Sequence, residues 1–233
     1  MISIIIPVYN GAKTLETTLK SIENQTWRYF EVIIVNDGSR DNTSAVFENF
    51  TQNNNLENNY YFINQENKGA PSARNKGWQK SKGDFLFFCD ADSILKPDIL
   101  EKMIKTLESN KEASYAYSSF YWGSKLFKLW PFDAEKLKKM PYIHTMSLIR
   151  RSDFPTTGWD ENIKKLQDWD LWLTMLEQGK TGIFIDEVLF KVQPVGSISS
   201  WLPSFFYKVF PFLPKVKEYR KAVEIIKKKH NLI

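Results

Sequence analysis

What most constrains this chain is a set of short, unbroken apolar runs, each closed by a polar loop. Ile2–Val8 is β-branched almost throughout and ends at the Tyr9-Asn10-Gly11 turn. Val32-Ile33-Ile34-Val35 runs into Asn36-Asp37-Gly38-Ser39, and Phe85-Leu86-Phe87-Phe88 leads to Asp90-Ala91-Asp92. Runs this short, without polar alternation, read as strands buried on both faces. Helical patterns lie between them. Leu15, Leu19 and Ile22 repeat at helical spacing, Asp41 or Asn42 can cap a helix reaching about Phe50, and Ala70–Lys80 continues the series. Pro97 opens a further amphipathic helix carrying Ile99, Leu100, Met103, Ile104 and Leu107. This alternation predicts an α/β fold: a mostly parallel sheet with helices on both faces. In such sheets, ligands bind in the loops at the carboxyl ends of the strands, so a nucleotide site is the first expectation.

The second half changes character. Strands are expected at Tyr115–Tyr121 and Thr145–Ile149, with a Lys- and aromatic-rich connection from Trp122 to Tyr142. A helix at Gln167–Glu177 and short strands near Ile183–Ile185 and Val188–Val192 follow. The expected organisation is one domain over 1–195, divided into a nucleotide-binding half (1–110) and an acceptor-side half (111–195). Residues 196–233 form a C-terminal aromatic and basic appendage.

Charge is unevenly spread. The chain of 233 residues carries a formal +5, yet residues 201–233 hold eight basic and two acidic side chains, +6. The remainder, with 24 basic and 25 acidic residues, is at −1, so the body shows no basic footprint for nucleic acid. One cysteine, Cys89, excludes an internal disulfide and reads as a buried thiol in a reducing compartment. The apolar start lacks a basic leading region, and no apolar run approaches the roughly 20 residues that span a bilayer. The expectation is a cytoplasmic protein, soluble or peripheral at the inner face of the cell membrane.

Asp90-Ala91-Asp92 is the sharpest chemical feature. Two carboxylates around one small residue, at the end of a buried strand, can hold a divalent cation and a ribose together. An acidic turn before Pro97 is the plain alternative. Its context includes Ile2–Asn10, Glu31–Ser39, Asn67-Lys68-Gly69-Ala70-Pro71-Ser72-Ala73-Arg74-Asn75-Lys76-Gly77 and Gln167-Asp168-Trp169-Asp170-Leu171-Trp172. In order and spacing over residues 1–195, this set closely resembles the inverting nucleotide-sugar glycosyltransferases of family 2, of GT-A fold. The resemblance implies that Pro7, Val8 and Tyr9 cradle the nucleotide base, with Tyr9 stacking on it. It implies that Asp37 hydrogen-bonds the base, with Arg74 near it. Asp90 and Ala91 would border the ribose and sugar, Asp92 would bind Mg²⁺ or Mn²⁺, and Asp168 would be the catalytic base. Packing, turn and surface roles are the alternatives for Tyr9, Asp37 and Arg74.

The chemistry accounts for these residue types. Displacing a nucleoside diphosphate builds negative charge on the leaving group, which a cation offsets. The acceptor hydroxyl loses its proton as it attacks, which calls for one positioned carboxylate. Unlike a glycoside hydrolase, the reaction needs no second carboxylate as leaving-group acid. Members of the resembling family usually carry Glu-Asp where this chain has Gln167-Asp168. Asp170 reads as a surface or capping residue, while Asp160-Glu161, after Gly158-Trp159, resembles the family's turn before the base helix, which implies a structural or acceptor-side role. His144 and His230 have no zinc-ligand spacing, although His144 lies near the acceptor side. No Gly-x-Gly-x-x-Gly or phosphate-loop Gly-Lys-Ser/Thr occurs. The Gln-x-x-Arg-Trp motif of processive synthases is absent as well, which favours addition of one sugar. A nucleotidyltransferase of similar fold and a non-catalytic nucleotide-sugar-binding, membrane-docking module are the rival readings.

The tail joins Trp201–Leu213, rich in aromatics and prolines, to a Lys-rich segment in which Val216, Tyr219, Val223 and Ile226 share a helix face. Rings beside basic residues suit an anionic membrane surface, fitting a lipid-linked or glycan acceptor. Packing on the domain and a homodimer contact are the other two uses open to it.

Overall fold

In the computed structural model of the chain, residues 1–54, 56, 58–193 and 213–233 are described. β1 (Ile2–Val8), β2 (Phe30–Asp37), β3 (Tyr60–Gln65) and β4 (Phe85–Phe88) pair in parallel, in the order β3-β2-β1-β4. Every residue of β2 is buried. Ile33 and Val35 pack with Ala73, whereas Val32 and Ile34 join the main core, as the two-residue period of a strand covered on both faces requires. Each such fully buried Ile, Leu or Phe is worth roughly 1.5–3 kcal/mol relative to exposure.

Pro7 sits inside β1, paired with Val35, where a proline normally interrupts a ladder. The Ile5 carbonyl accepts from Cys89 N at 2.9 Å, so Ile5 and, by alternation, Pro7 direct their polar groups toward the β4 side. β4 pairs no further than Ile5, so the missing Pro7 N–H falls beyond its end and costs no bond.

Helices α1 (Leu15–Glu23), α2 (Thr43–Asn54), α3 (Ala70–Lys80) and α4 (Ile99–Ser109) follow the strands as the periodicity predicts. α2 runs four residues past Phe50, and the expected turn at Asn36-Asp37 is the end of β2. α3 seats on the sheet through Gly77, where an added Cβ would lie 2.5 Å from Ile5 Cγ2.

Beyond β4 the sheet becomes mixed. β5 (Ser93–Leu95), β6 (Tyr115–Trp122), β7 (Lys125–Phe127), β8 (Leu148–Arg150) and β9 (Gly182–Val192) extend it as β4-β8-β6-β9-β5, with β7 on β6. β8 lies antiparallel to β4 and β6, β5 antiparallel to β9, and β6–β9 is parallel. The two short strands expected near 183–192 are one strand. Its register against β6 slips at Ser118–Phe120, and the bulge lets exposed Asp186 and Glu187 leave the apolar pattern. The connection after Trp122 contains β7 and a short helix, α5 (Ala134–Lys139).

Helix α6 (Gln167–Glu177) buries Trp169 and Trp172, whose indole N–H groups donate to the Leu137 and Ile143 carbonyls at 2.6 and 2.9 Å. The last helix, α7 (Pro214–Lys229), buries Val216 and Ile226, and Val223 and Leu232 pack against the main core. Of the uses open to the tail, packing on the domain therefore holds for α7. The aromatic stretch 201–212 and the boundary expected near 195 lie outside the described residues. Among the described residues, no helix is long and apolar enough to cross a membrane.

Candidate active site

The loops at the carboxyl ends of β1, β2 and β3 are tied to one another. Asn10 takes a left-handed φ of 53°, which Asn tolerates better than most residues. Its Oδ1 accepts from Arg40 N at 2.8 Å while its own N–H donates to Ser39 Oγ at 2.9 Å. Gly11 N donates to Thr43 Oγ1 at 2.9 Å. Tyr9, immediately before this knot, is 43% exposed; Val8 is buried and Pro7 half-buried.

Asp37 is buried at the end of β2. Its Oδ1 accepts from Gln65 Nε2 at 2.8 Å and Lys68 N at 2.9 Å, and its Oδ2 from Gly69 N at 2.9 Å. The carboxylate thus builds the loop that leads into α3, with about one of its four lone-pair directions left over. Gly38 follows with φ of 72°, and a Cβ there would sit 2.9 Å from Asn67 N, so the loop closes only over glycine.

Arg74 does not join Asp37; among the described residues no hydrogen bond or ion pair connects them. Arg74 is 7% exposed. Its Nη2 donates to Asp90 Oδ1 at 3.1 Å and its Nη1 to Gln167 Oε1 at 2.9 Å, and its Cζ lies 4.7 Å from the Trp159 ring. Arg74 therefore bridges the strand-end acid to the first residue of α6. Gln167 still offers the acceptor that this bridge needs. The other Asp90 oxygen is 3.8 Å from His144 Nε2. His144 Nδ1 accepts from Met146 N at 3.2 Å, so in the neutral ring the proton is assigned to Nε2, facing Asp90. Burial pushes His144 below its ordinary imidazole range, and Arg74 adds to this against the pull of Asp90 and Asp168.

The turn itself is clamped from both sides. Thr18 Oγ donates to the Ala91 carbonyl at 3.0 Å, and Gln193 N donates to the Asp92 carbonyl at 2.8 Å. Burial, then the Asp90 charge, push the Asp92 carboxyl up to about 7. Among the described residues no side chain donates a hydrogen bond to it. A half-buried carboxylate with no side-chain donor, beside a second carboxylate, is a setting that a divalent cation relieves. The all-oxygen chemistry fits Mg²⁺ or Mn²⁺. Among the described residues, no group of three His, Cys, Asp or Glu side chains could hold a metal. Cys89, next to this turn, is fully buried, and burial first, with Asp90 and Asp92, pushes its thiol far up.

Asp168 lies in the first turn of α6, just after Leu166, whose φ of 58° is a strained backbone for a side chain of that size. Its Oδ1 accepts from Trp169 N at 2.9 Å. Burial raises the Asp168 carboxyl above the usual carboxylate range; His144 and Arg74 act against this and Asp90 with it.

Asp170 corrects the expectation of a surface or capping residue. It is 3% exposed, and its carboxylate receives Lys229 Nζ at 2.8 Å and His230 Nε2 at 3.0 Å. Asp160 pairs with the same Lys229 at 2.8 Å, and Glu161 accepts from Asn75 Nδ2 at 3.0 Å. Asn75 also receives Trp159 N and donates to the Trp159 carbonyl, tying the turn before α6 to α3. These partners lie about 60 to 90 positions apart, beyond any local spacing signal.

Residues 3–161 match the model of the family described as glycosyl transferase family 2. The chain belongs to this family. The match stops short of Gln167 and Asp168, so their assignment rests on the resemblance and the geometry above. The chain is 30% identical over 207 residues to the uncharacterized glycosyltransferase RT0329 of Rickettsia typhi (strain ATCC VR-144 / Wilmington), covering 82% of this chain and 63% of that one. It spans between 30% and 63% of the length of several curated relatives that it matches. Its fold resembles that of S. aureus TarS 1–349 in complex with UDP-GlcNAc, with a TM-score of 0.73 at 16% identity over 97% of this chain and 66% of that one. It also resembles the mannosyltransferase PcManGT of Pyrobaculum calidifontis in complex with GDP-Man and Mn²⁺ (TM-score 0.68, 17% identity, 86% of this chain and 58% of that one). The family 2 fold is thus GT-A, as the motif order implied.

Proposed function

We propose that the chain transfers one sugar from a nucleotide-sugar donor to an acceptor hydroxyl, with inversion at the anomeric carbon. The observation that carries this reading is the gathering of Arg74, Asp90, His144, Gln167 and Asp168 from four separate segments at the carboxyl end of one sheet. Tyr9 offers an exposed ring for the base, with Pro7 and Val8 preceding it at the end of β1, and Asp37 shapes the adjoining loop with an acceptor direction to spare. UDP is the favoured nucleotide. Asp90 and Ala91 border the ribose and sugar. Asp92 would hold Mg²⁺ or Mn²⁺, which when bound offsets charge on the departing diphosphate.

Asp168 takes the acceptor proton, and its raised carboxyl makes it a stronger base than an exposed aspartate. Arg74 fixes Asp90 and Gln167 relative to each other, so the acid that faces the sugar and the helix that carries the base move as one body. The acceptor class is a glycan or a lipid-linked sugar. The basic outer face of α7, with the aromatic stretch before it, would bring the chain to an anionic membrane.

The test is a panel of nucleotide sugars read by thermal shift with and without Mn²⁺. A UDP-sugar is expected to stabilise the wild type in a Mn²⁺-dependent way. Asp92→Ala is expected to lose that dependence, and Asp168→Asn to keep donor binding while transfer disappears. Full transfer by Asp168→Asn refutes the base assignment, and failure of the chain to float with anionic vesicles refutes the membrane contact.

A further inference from the structure

The segment most distant in sequence from the proposed site ends on the helix that carries its base. His230, just past α7, is 6% exposed. Its Nδ1 lies 2.8 Å from Glu177 Oε1 and its Nε2 lies 3.0 Å from Asp170 Oδ1. Asp170 and Glu177 are seven positions apart, two turns along one face of α6. A neutral imidazole has one N–H and can satisfy one of these carboxylates; only the imidazolium donates to both. The neighbouring Lys229 Nζ spans Asp170 and Asp160, each at 2.8 Å, and so joins α6 to the turn that precedes it. That turn carries Trp159, on which Arg74 stacks. Asp168 lies two residues from the clasped Asp170.

We propose that His230 and Lys229 are positioning residues, which lock α7 onto α6 and so hold Asp168 in register with Arg74 and Asp90, His230 acting as the imidazolium. This rests on the reading of Asp168 as the base, and its consequences for α6 itself do not. The charged groups facing His230 are Asp170 and Glu177 from α6, Lys229 from its own segment, and Asp160 and Glu161 from the turn, around a cavity of about 560 Å³. Burial alone would lower the His230 pKa, but the hydrogen bonds that His230 donates to Asp170 and Glu177, with the charges of those carboxylates, carry it above the ordinary imidazole value. The sign follows: the lock is complete below the ordinary imidazole pKa and loosens as pH rises through the elevated one.

His230 and His144 are the only histidines in the chain, so both imidazoles can be followed through a titration by NMR, with His230→Gln giving the assignment. Full-length wild type, His230→Ala, His230→Gln and Lys229→Met are compared by amide hydrogen exchange over 167–177. Nucleoside diphosphate release is measured from UDP-GlcNAc and GDP-mannose with Mn²⁺. His230→Ala is expected to exchange at least about tenfold faster across α6, since opening there loses its tertiary partner. Added imidazole is expected to enter the cavity and restore protection near pH 6, where it is largely cationic, and to fail near pH 9. Diphosphate release is expected to fall about tenfold to a hundredfold through kcat, with the donor KM unchanged.

His230→Gln keeps the size of the side chain and answers the same question if the alanine variant does not fold. Wild-type exchange across 167–177 in His230→Gln, or a His230 that titrates at or below the ordinary value, overturns the lock. Faster exchange with unchanged release overturns the positioning role. If Asp168→Asn stays active, or the wild type turns over neither donor, the base reading or the donor choice fails; the exchange and titration results still decide the lock.

Discussion

Replacing Arg74 tests how the two halves of the site are held together. In Arg74→Met the apolar stem survives against Trp159, and three things are lost: the donor to Asp90, the donor to Gln167 and the charge over the ring. Two charge-assisted hydrogen bonds at about 1.5–3 kcal/mol each set a gross loss of roughly 3–6 kcal/mol. Two terms reduce it. The Asp90 side chain is 26% exposed, so water screens its half of the pair and takes up part of its charge once Arg74 is gone. The Arg74 Nε is buried without a partner among the described residues, and removing it recovers a desolvation cost of about 1–3 kcal/mol. The net expectation is a destabilisation of about 2 kcal/mol. At roughly 2–4 °C per kcal/mol for a chain of this length, Tm falls by about 4–8 °C.

Arg74→Lys separates geometry from charge. One ammonium cannot reach both Asp90 and Gln167 in the planar fork that arginine presents, so it should recover half or less of the loss. Urea denaturation followed by tryptophan fluorescence measures both, with the m-value checking that the unfolded states are comparable. A loss below about 0.5 kcal/mol for Arg74→Met, within the range of ordinary surface substitutions, would refute the bridge. Full recovery in Arg74→Lys would refute the need for the fork.

The base assignment carries a pH signature: a general base works only when ionised, so transfer should rise with pH through the elevated Asp168 pKa and decline on the acid side at a pH above the usual carboxylate range. An acid limb centred on an ordinary aspartate value, in a full pH–kcat profile, speaks against a buried base. In the packing of the sheet, Gly182→Ala would bring a Cβ to 2.3 Å from Cε2 of Tyr115, a fully buried ring whose centroid lies 4.4 Å from that of Trp172. The ring cannot swing aside, so a cost of about 1–3 kcal/mol is expected in thermal unfolding, and an unchanged Tm would show that the β6–β9 pair yields instead.

The parallel half of the fold was legible because its signals are local. Three apolar runs of strand length, each followed by a helical period, leave one way to bury β-branched residues on both faces. The placement of the Asp90–Asp92 turn after a strand and of Asp168 in the first turn of a helix was legible for a related reason, since each lies at the boundary of an element that its own neighbours define. The single bulged strand β9 was not, because its middle holds Asp186 and Glu187 and only the pairing with β6 shows that the chain stays extended there. Arg74 stood out in the sequence as a candidate, but its choice of Asp90 and Gln167 did not, because that depends on α3 and α6 meeting across the sheet.

Taken alone, the amino-acid order determined the α/β class, through local periodicity, and the residue types available for chemistry; the family resemblance came from the order of its motifs along residues 1–195. Tertiary structure alone decided which charges meet. Asp170 read as a surface or capping residue until the packing of α7 brought Lys229 and His230 to it, and of the three uses open to the tail, packing on the domain could be assigned to α7 only because Val216 and Ile226 are buried. Side-chain contacts between segments 60 residues apart leave no trace in local pattern, because burial and pairing are properties of the packed chain.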